Sequence, residues 1–272
     1  MISLKEDELT GLTYRQWTSP EAKAAILLIH GLGAHSGRWE FLAGYLADRN
    51  ISSYAIELRG FGGTKGLKGH VDSFAIYFND ILRLRDIIKK ENAGKKIFLA
   101  GESMGAVIAI LAASQAPEAY EGLICLSPAI VSRLPFSFLD YIRIILLLIF
   151  NPKKQLNMPF SSGQITHDTE YQKVMDSSPL EHRLATPKML LNIAVSQLRL
   201  GFLKNKLHIP PLFLIAGDDK LVDKEASKRF FKSLAVEDKE LIEYPGMYHS
   251  LSVESGKVKI FEDISRWMEK RI

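Results

Sequence analysis

The sequence of 272 residues predicts an α/β fold with a mostly parallel central sheet and helices on both of its faces. Short apolar runs, each long enough for a buried strand, alternate with stretches of helical periodicity through the first half of the chain. The alternation resumes near residue 207, after an irregular segment. Strands separated by helices are joined by crossover connections, which place the strands parallel and cover both faces of the sheet.

Each element is predicted from its own pattern. The run 24–29 is apolar throughout, as in a strand buried on both faces, and Trp39, Leu42 and Leu46 then recur at helical spacing. The predicted strands are 24–29, 51–58, 96–100, 123–127, 211–216 and 239–244. The predicted helices are 38–49, 74–91, 106–113, 224–234 and 257–271.

Residues 130–206 interrupt this alternation with helical and irregular pieces and no clear strand, and 158–167 is predicted to be the least structured part. A helical insertion between two sheet strands is expected to cover the carboxyl edge of the sheet, where such sheets bind ligands. We therefore predict a core domain formed by 1–129 and 207–272, and a cap subdomain formed by 130–206.

Composition narrows the class of protein. The formal net charge of +4 is mild and gives no reason to expect a nucleic-acid partner. Cys125 is the single cysteine and lies in an apolar run, so we expect no internal disulfide and an inert buried thiol. The segment 1–9 is acidic and lacks the apolar core of a secretory signal, which predicts a cytoplasmic protein.

The segment 136–150 is strongly apolar, and prolines flank it at 135 and 152. It is shorter than the roughly 20 residues of a spanning helix and carries Asp140 and Arg143, so it is not predicted to cross a membrane. A helix that is apolar almost all round is either buried or lies against lipid. Both alternatives stay open, and the second predicts peripheral membrane contact.

The pentapeptide 101–105 reads G-E-S-M-G and stands between a predicted strand and a predicted helix. A serine on so tight a strand-to-helix turn, here Ser103, has a strained backbone that holds its hydroxyl clear of the sheet. Gly101 and Gly105 are required because a Cβ at either position would collide with the neighbouring strand or helix. The pattern predicts a nucleophile, although the pentapeptide alone would also fit an ordinary turn.

A serine nucleophile needs a base and a carboxylate that orients the base. His249 follows the last predicted strand, and Asp218, Asp219 and Asp223 follow the strand before it, so the order along the chain is serine, acid, histidine. Asp223 also suits the N-cap of the helix that begins directly after it. Position alone does not separate Asp218 from Asp219.

The oxyanion of a tetrahedral intermediate needs backbone donors. One is expected from Met104, directly after the nucleophile, and the second from Leu32 in the glycine-rich loop 30–33. The same loop has a rival interpretation as a dinucleotide fingerprint, with Glu57 ending the next strand. Its spacing is G-x-G-x-x-x-G, one residue longer than the common form, and this interpretation would leave the serine, acid and histidine unexplained.

Taken together, these segments resemble the α/β-hydrolase superfamily, and within it the monoacylglycerol lipase and lysophospholipase branch. The similarity covers nearly the whole chain outside 130–206, and Phe61 departs from it because a histidine commonly stands there. The matching segments are 30–39 (HGLGAHSGRW), 58–64 (LRGFGGT), 68–71 (KGHV), 101–105 (GESMG), 219–223 (DKLVD) and 244–249 (YPGMYH).

The resemblance implies an α/β-hydrolase fold with a cap inserted after the sixth strand, and a serine hydrolase that acts on lipid-like carboxylic esters without metal or cofactor. It implies Ser103, Asp219 and His249 as the catalytic triad, and the register against Val222 selects Asp219 over Asp218. The implied partner is a small acyl ester, either a monoacylglycerol or a lysophospholipid. An acyltransferase with the same triad, an esterase for short-chain or aryl esters, and a binding protein on the same scaffold are the alternatives.

Overall fold

The computed structural model describes residues 2–7, 10–203 and 206–272, so part of the N-terminal segment used in the signal prediction and part of the predicted cap, Lys204 and Asn205, lie outside the described residues. The strands are β1 (Ile2–Asp7), β2 (Leu12–Trp17), β3 (Ala24–Ile29), β4 (Ile51–Glu57), β5 (Lys96–Glu102), β6 (Gly122–Leu126), β7 (Leu156–Asn157), β8 (Leu184–Ala185), β9 (Pro211–Ala216) and β10 (Glu240–Tyr244). The helices are α1 (Glu40–Ala47), α2 (Phe74–Glu91), α3 (Met104–Gln115), α4 (Phe138–Phe150), α5 (Ser162–Ile165), α6 (Thr169–Ser177), α7 (Pro187–Leu200), α8 (Lys224–Ser233) and α9 (Lys257–Glu269).

Eight strands form one sheet in the order β1-β2-β4-β3-β5-β6-β9-β10. Every pairing from β4 to β10 is parallel, whereas β2 pairs antiparallel with both β1 and β4. The predicted parallel sheet is therefore confirmed, and the two antiparallel strands at its edge were missed. Polar side chains interrupt the apolar pattern of β1 and β2, so only pairing with the rest of the sheet identifies them as strands.

Two apolar clusters cover the two faces of this sheet. Helices α1 and α9 pack on one face around Trp39 and Trp267, and α2, α3 and α8 pack on the other. Strands β3 and β9 are buried at every position, which explains their unbroken apolar runs. Cys125 is free and buried, as predicted.

Most element boundaries agree with the predictions within a few residues, and two differ in kind. The predicted helix 38–49 begins as a short 3₁₀ turn, Ser36–Trp39, before α1. Helix α3 begins at Met104, directly after the serine, because the turn at 101–105 leaves no intervening loop.

The insertion follows β6, the sixth strand, and carries α4 to α7. Two statements about it were wrong. It contains a short antiparallel pair, β7 with β8, and the stretch predicted to be least structured contains α5. Both elements are short and depend on contacts with other parts of the insertion, so no local pattern marks them. Backbone hydrogen bonds tie the insertion to the core, including His182 N–H to Gly33 O at 2.9 Å and Thr186 N–H to Gly69 O at 2.9 Å.

Helix α4 is not buried. None of its residues is buried, and the side chains at its two ends, Phe138 and Phe150, are 78% and 79% exposed. Of the two alternatives for this segment, burial inside the cap is therefore wrong. Across residues 2–7, 10–203 and 206–272, no helix combines the length and apolar character needed to cross a bilayer.

Candidate active site

Ser103 occupies the turn between β5 and α3 in a backbone conformation that non-glycine residues rarely adopt, with φ 59° and ψ −121°. The turn is held by a hydrogen bond from Ser103 N–H to Leu126 O at 2.9 Å. A Cβ on Gly101 would overlap the Gly105 carbonyl, and a Cβ on Gly105 would overlap the carbonyls that end β3. Residues 101–105, called the elbow below, thus form the strained strand-to-helix turn that the sequence predicts.

Asp219 and His249 meet at the carboxyl edge of the sheet. One oxygen of Asp219, Oδ2, lies 2.8 Å from His249 Nδ1, and the other accepts hydrogen bonds from the N–H groups of Leu221 and Val222 at 2.8 and 3.0 Å. The Asp219 side chain is 1% exposed and the His249 side chain 6% exposed. The carboxylate is therefore fully engaged, and it orients the imidazole.

The structure separates the three aspartates that sequence position left open. Asp218 is exposed, and its backbone N–H bonds to Met247 O at 2.9 Å. Asp223 caps α8 through hydrogen bonds from Glu225 N–H and Ala226 N–H. Of the three, Asp219 is the one that contacts the histidine.

Two opposed effects set the pKa of His249. Burial acts to lower the pKa, but the charge of Asp219 and its hydrogen bond to the ring, together with the charge of Glu102, raise the pKa above that of an ordinary histidine. The Arg38 guanidinium acts in the opposite direction to these carboxylates. The two carboxylates therefore stabilise the charged imidazole that forms when a general base takes a proton.

Ser103 and His249 line the same cavity, which has a volume of about 340 Å³. The predicted oxyanion residues, Leu32 and Met104, line it as well. Met104 is the first residue of α3, where a backbone N–H has no acceptor within the helix. Gly31 lets loop 30–33 approach Ser103 closely. A Cβ on Gly31 would lie 3.1 Å from the Cβ of Ser103.

Most of the cavity wall is apolar and comes from the insertion. Helix α4 contributes Tyr141, Ile144, Ile145 and Leu148, at helical spacing, while its other side faces outward. The rest of the apolar wall comes mainly from α7, from α5 and from the loops that precede α4 and α5. Further apolar lining residues include Leu134, Phe136, Phe160, Ile165, Leu190, Leu191, Ile193, Leu221 and Val222.

Sequence reasoning missed the polar residues that lie in the same cavity as Ser103 and His249. Arg38 lines the cavity and forms a bidentate pair with Glu181 of the insertion, at 2.7 and 2.6 Å, and both side chains are less than a tenth exposed. Glu102 and Ser250 line the cavity too. In the sequence, Glu102 could have been noticed as the one charged residue of the elbow. No local pattern connects Arg38 to Glu181, which lies 143 positions away.

The loop 30–37 does not use its glycines to hold a nucleotide. Glu57, the residue that would bind a ribose in that interpretation, is buried and accepts hydrogen bonds from Ser36 N–H at 3.0 Å and Gly63 N–H at 2.9 Å. The carboxylate is thereby committed to the loop itself. Within the part of the chain that the structure describes, no group of three or more His, Cys, Asp or Glu side chains has an arrangement suited to a metal ion.

A mainly parallel sheet that carries a serine on a strained turn at its carboxyl edge, beneath a helical insertion, defines an α/β-hydrolase. Comparison with known proteins gives the family. The model of the family described as serine aminopeptidase, S33, matches residues 20–256. The chain belongs to this family and is a carboxylic ester hydrolase, which confirms the predicted class of enzyme.

The chain is similar to monoglyceride lipase from Homo sapiens, with 31% identity over 92% of this chain and 83% of that protein. Among solved structures, it is similar to the monoacylglycerol lipase of Paleococcus ferrophilus, with a TM-score of 0.84 and 25% identity over 96% of this chain and 99% of that one. A soluble variant of monoglyceride lipase from Saccharomyces cerevisiae, in complex with a substrate analog, shares the fold at a TM-score of 0.86, with 24% identity over 100% and 95% of the two chains.

Proposed function

We propose that this enzyme hydrolyses monoacylglycerols through an acyl-enzyme formed on Ser103. The observation that carries the proposal is the 2.8 Å contact between Asp219 and His249 at the end of an apolar cavity that Ser103 also lines. The names of the similar proteins support the same substrate class.

The proposed reaction has two halves. His249, oriented by Asp219, takes the proton of the Ser103 hydroxyl as its oxygen attacks the ester carbonyl. The N–H groups of Leu32 and Met104 stabilise the oxyanion, and His249 then protonates the departing alcohol. Water enters, gives its proton to His249 and attacks the acyl-enzyme, and the acid leaves as the proton returns to Ser103.

A neutral headgroup suits the polar end of the cavity better than a phosphodiester. Arg38 is the cation there, but its guanidinium is already paired with Glu181, and the buried Glu102 adds negative charge. A lysophospholipid would bring a phosphate into this setting with no free cation among the described lining residues to offset it. We therefore favour glycerol over a phosphorylated headgroup.

A substrate screen tests this proposal. We expect kcat/KM for 1-oleoylglycerol to exceed that for 1-oleoyl-lysophosphatidylcholine by about a hundredfold, about 3 kcal/mol in transition-state binding. Rates with p-nitrophenyl acetate measure the esterase activity on a substrate that has no long acyl chain. Product analysis with added alcohol separates hydrolysis from acyl transfer. A preference for the lysophospholipid, or transfer that exceeds hydrolysis, would contradict the proposal.

We also propose that residues 130–206 act as a cap that binds the acyl chain. Shortening Ile144 and Leu148 to alanine removes apolar contacts along the cavity wall. We expect kcat/KM to fall about tenfold for a long-chain ester and less than about twofold for p-nitrophenyl acetate. The matched control is the double variant Ile142→Ala/Leu146→Ala, two exposed residues of the same helix. Equal losses on long and short esters would exclude the acyl slot.

The outward side of α4 is proposed to rest on a bilayer, as a peripheral contact. Helix α7 contacts α4, and Leu198 of α7 and the nearby Phe202 are further exposed apolar residues, at 71% and 83%. The exposed Lys153 and Lys154 follow α4. An apolar surface with an adjacent cationic rim suits an interface that contains anionic lipid. Cytoplasmic residence stays a prediction.

Vesicle co-sedimentation tests this contact. We expect Phe138→Ser/Phe150→Ser to weaken binding to phosphatidylcholine vesicles containing phosphatidylglycerol by at least about tenfold, because two exposed aromatic side chains no longer enter the interface. Hydrolysis of p-nitrophenyl acetate in solution should not change. Val258→Ser, an exposed apolar residue on α9, is the control and should bind as the unaltered protein does. Unchanged binding by the double phenylalanine variant would exclude this surface.

A further inference from the structure

Glu102 is a buried carboxylate that the serine chemistry does not require. It ends β5 directly before Ser103 and is only 4% exposed. The G-x-S-x-G pattern places no chemical demand on this position. Burying a carboxylate is costly unless hydrogen bonds and charges compensate for it, so its contacts should indicate its role.

Both oxygens of Glu102 bind one residue of the segment that carries the histidine. Oε1 accepts from Ser252 N–H at 3.0 Å, and Oε2 accepts from the Ser252 hydroxyl at 2.9 Å. Ser252 lies shortly after His249 in the chain, so these two bonds join the residue before the nucleophile to the loop of the base. They span 150 positions of the chain.

Other contacts hold the rest of this loop, residues 245–254, from different sides. Tyr248 N–H donates to Glu254 at 3.0 Å, and Ser250 N–H donates to Ile165 O of the insertion at 2.9 Å. Neither contact reaches the elbow. Among the described residues, the hydrogen bonds that connect loop 245–254 directly to the elbow are therefore those from Ser252 to Glu102.

We propose that Glu102 is a positioning residue that fixes the loop of His249 to the elbow of Ser103 and supplies a second negative charge to the protonated His249. This inference rests on the proposed triad. A nucleophile and its base must be held within a fraction of an ångström of their working geometry, and a link between their two backbones does this more directly than packing.

The electrostatics of the site agree with this geometry. The charged groups that act on His249 are Asp219 and Glu102, which raise its pKa, and Arg38, which lowers it. Arg38 is in turn neutralised by Glu181. Burial raises the pKa of Glu102 itself, while the bonds from Ser252 and the charges of His249 and Arg38 act to lower it. Two acceptor bonds on its two oxygens suit the ionised form.

Two substitutions separate the positioning role of Glu102 from the effect of its charge on His249. In Glu102→Gln the amide oxygen can still accept from Ser252 N–H and the amide N–H can donate to the Ser252 hydroxyl, so only the charge is lost. In Glu102→Ala both bonds are lost as well. We expect kcat to fall about tenfold in Glu102→Gln and about a hundredfold in Glu102→Ala. Asp80→Asn is the control, because Asp80 is a buried carboxylate of helix α2 that pairs with Arg59 and is not among the residues lining the cavity.

The pH dependence distinguishes this role from a purely structural one. Removing a charge that raises the pKa of His249 should let the imidazole stay deprotonated at lower pH. The acidic limb of kcat/KM should therefore move to lower pH in Glu102→Gln and stay in place in Asp80→Asn. NMR titration of the His249 ring should show the same shift without any substrate.

The NMR titration keeps this inference separate from the proposed function. If the unaltered protein hydrolysed no ester, the triad proposal would fail, and the titration would still report whether Glu102 acts on His249. An acidic limb, a kcat and an imidazole titration that are all unchanged in Glu102→Gln would overturn the role of the charge, and an unchanged kcat in a folded Glu102→Ala would overturn the positioning role. If circular dichroism and thermal melting show that Glu102→Ala has not folded, Ser252→Ala, which removes the hydroxyl bond and keeps the charge of Glu102, decides the positioning role by the same kcat measurement.

Discussion

Replacing Ser103 by alanine is expected to abolish ester hydrolysis while leaving the fold intact. The substitution removes only the hydroxyl, and the proposed reaction has no other nucleophile within the elbow. We expect kcat/KM for a p-nitrophenyl acyl ester to fall by at least about 10⁴-fold, since only the oxyanion donors and substrate binding would remain. Alanine tolerates the φ of 59° at this position no better than serine, so stability should change little.

A second serine of the cavity, Ser132, provides the control for this experiment. Ser132 also lines the cavity, and its hydroxyl accepts a hydrogen bond from the Gln197 side chain at 3.1 Å. Ser132→Ala should retain activity within about threefold, the usual range for a residue outside the chemistry. A fluorophosphonate probe should label the unaltered protein and Ser132→Ala, and should not label Ser103→Ala. Near-full activity in Ser103→Ala would exclude the proposed mechanism.

Replacing Asp219 by asparagine is expected to lower kcat by about 10⁴-fold. The side-chain oxygen of the introduced asparagine would keep the bonds from Leu221 and Val222, which leaves its amide group facing His249 Nδ1. An amide N–H there would force Nδ1 to act as an acceptor, so the proton would sit on Nε2. An imidazole in that tautomer cannot take the serine proton.

Asp218 provides the control for this substitution. It is adjacent in sequence, but its side chain is exposed, and its backbone N–H bonds to Met247 O. Asp218→Asn should change kcat by less than about twofold. Steady-state rates for the two variants, measured on the same ester, decide the assignment. A larger loss in Asp218→Asn than in Asp219→Asn would reverse it.

Two of the alternative functions, a binding protein and an acyltransferase, make different demands on the same site. A binding protein on this scaffold would usually have lost a member of the triad, whereas Ser103 and the pair of Asp219 and His249 are all present around one cavity. An acyltransferase would keep the triad and differ in how well an alcohol competes with water. Product analysis, and not a triad variant, separates that activity from hydrolysis.

The sequence predicted a helix or strand well where the whole pattern that identifies it lies within that element. Helix α2, at Phe74–Glu91, and strand β9, at Pro211–Ala216, have the predicted bounds, because one carries a long helical periodicity behind a Ser73 cap and the other an unbroken apolar run. Strands β1 and β2 were missed because they gain their stability from antiparallel pairing with each other and with β4.

The exposure of α4 is a second feature that its own sequence could not predict. Its sequence is apolar on nearly every side, which fits burial and lipid contact equally well. Exposure depends on which neighbours cover the helix, and only one side meets the cavity that α7 completes. A pattern within one helix carries no information about what lies opposite it.

The amino-acid sequence by itself determined the alternation of strands and helices, the strained turn at Ser103 and the order of Ser103, Asp219 and His249 along the chain, since each can be read from the chain without knowing its contacts. Position along the chain did not separate Asp218 from Asp219, the resemblance favoured Asp219, and the tertiary structure shows its contact with His249. Tertiary structure alone decided that Glu181 pairs with Arg38 and that Glu102 binds Ser252. Those contacts join positions 30, 143 and 150 residues apart. Strand order and loop paths set such distances, and no local spacing encodes them.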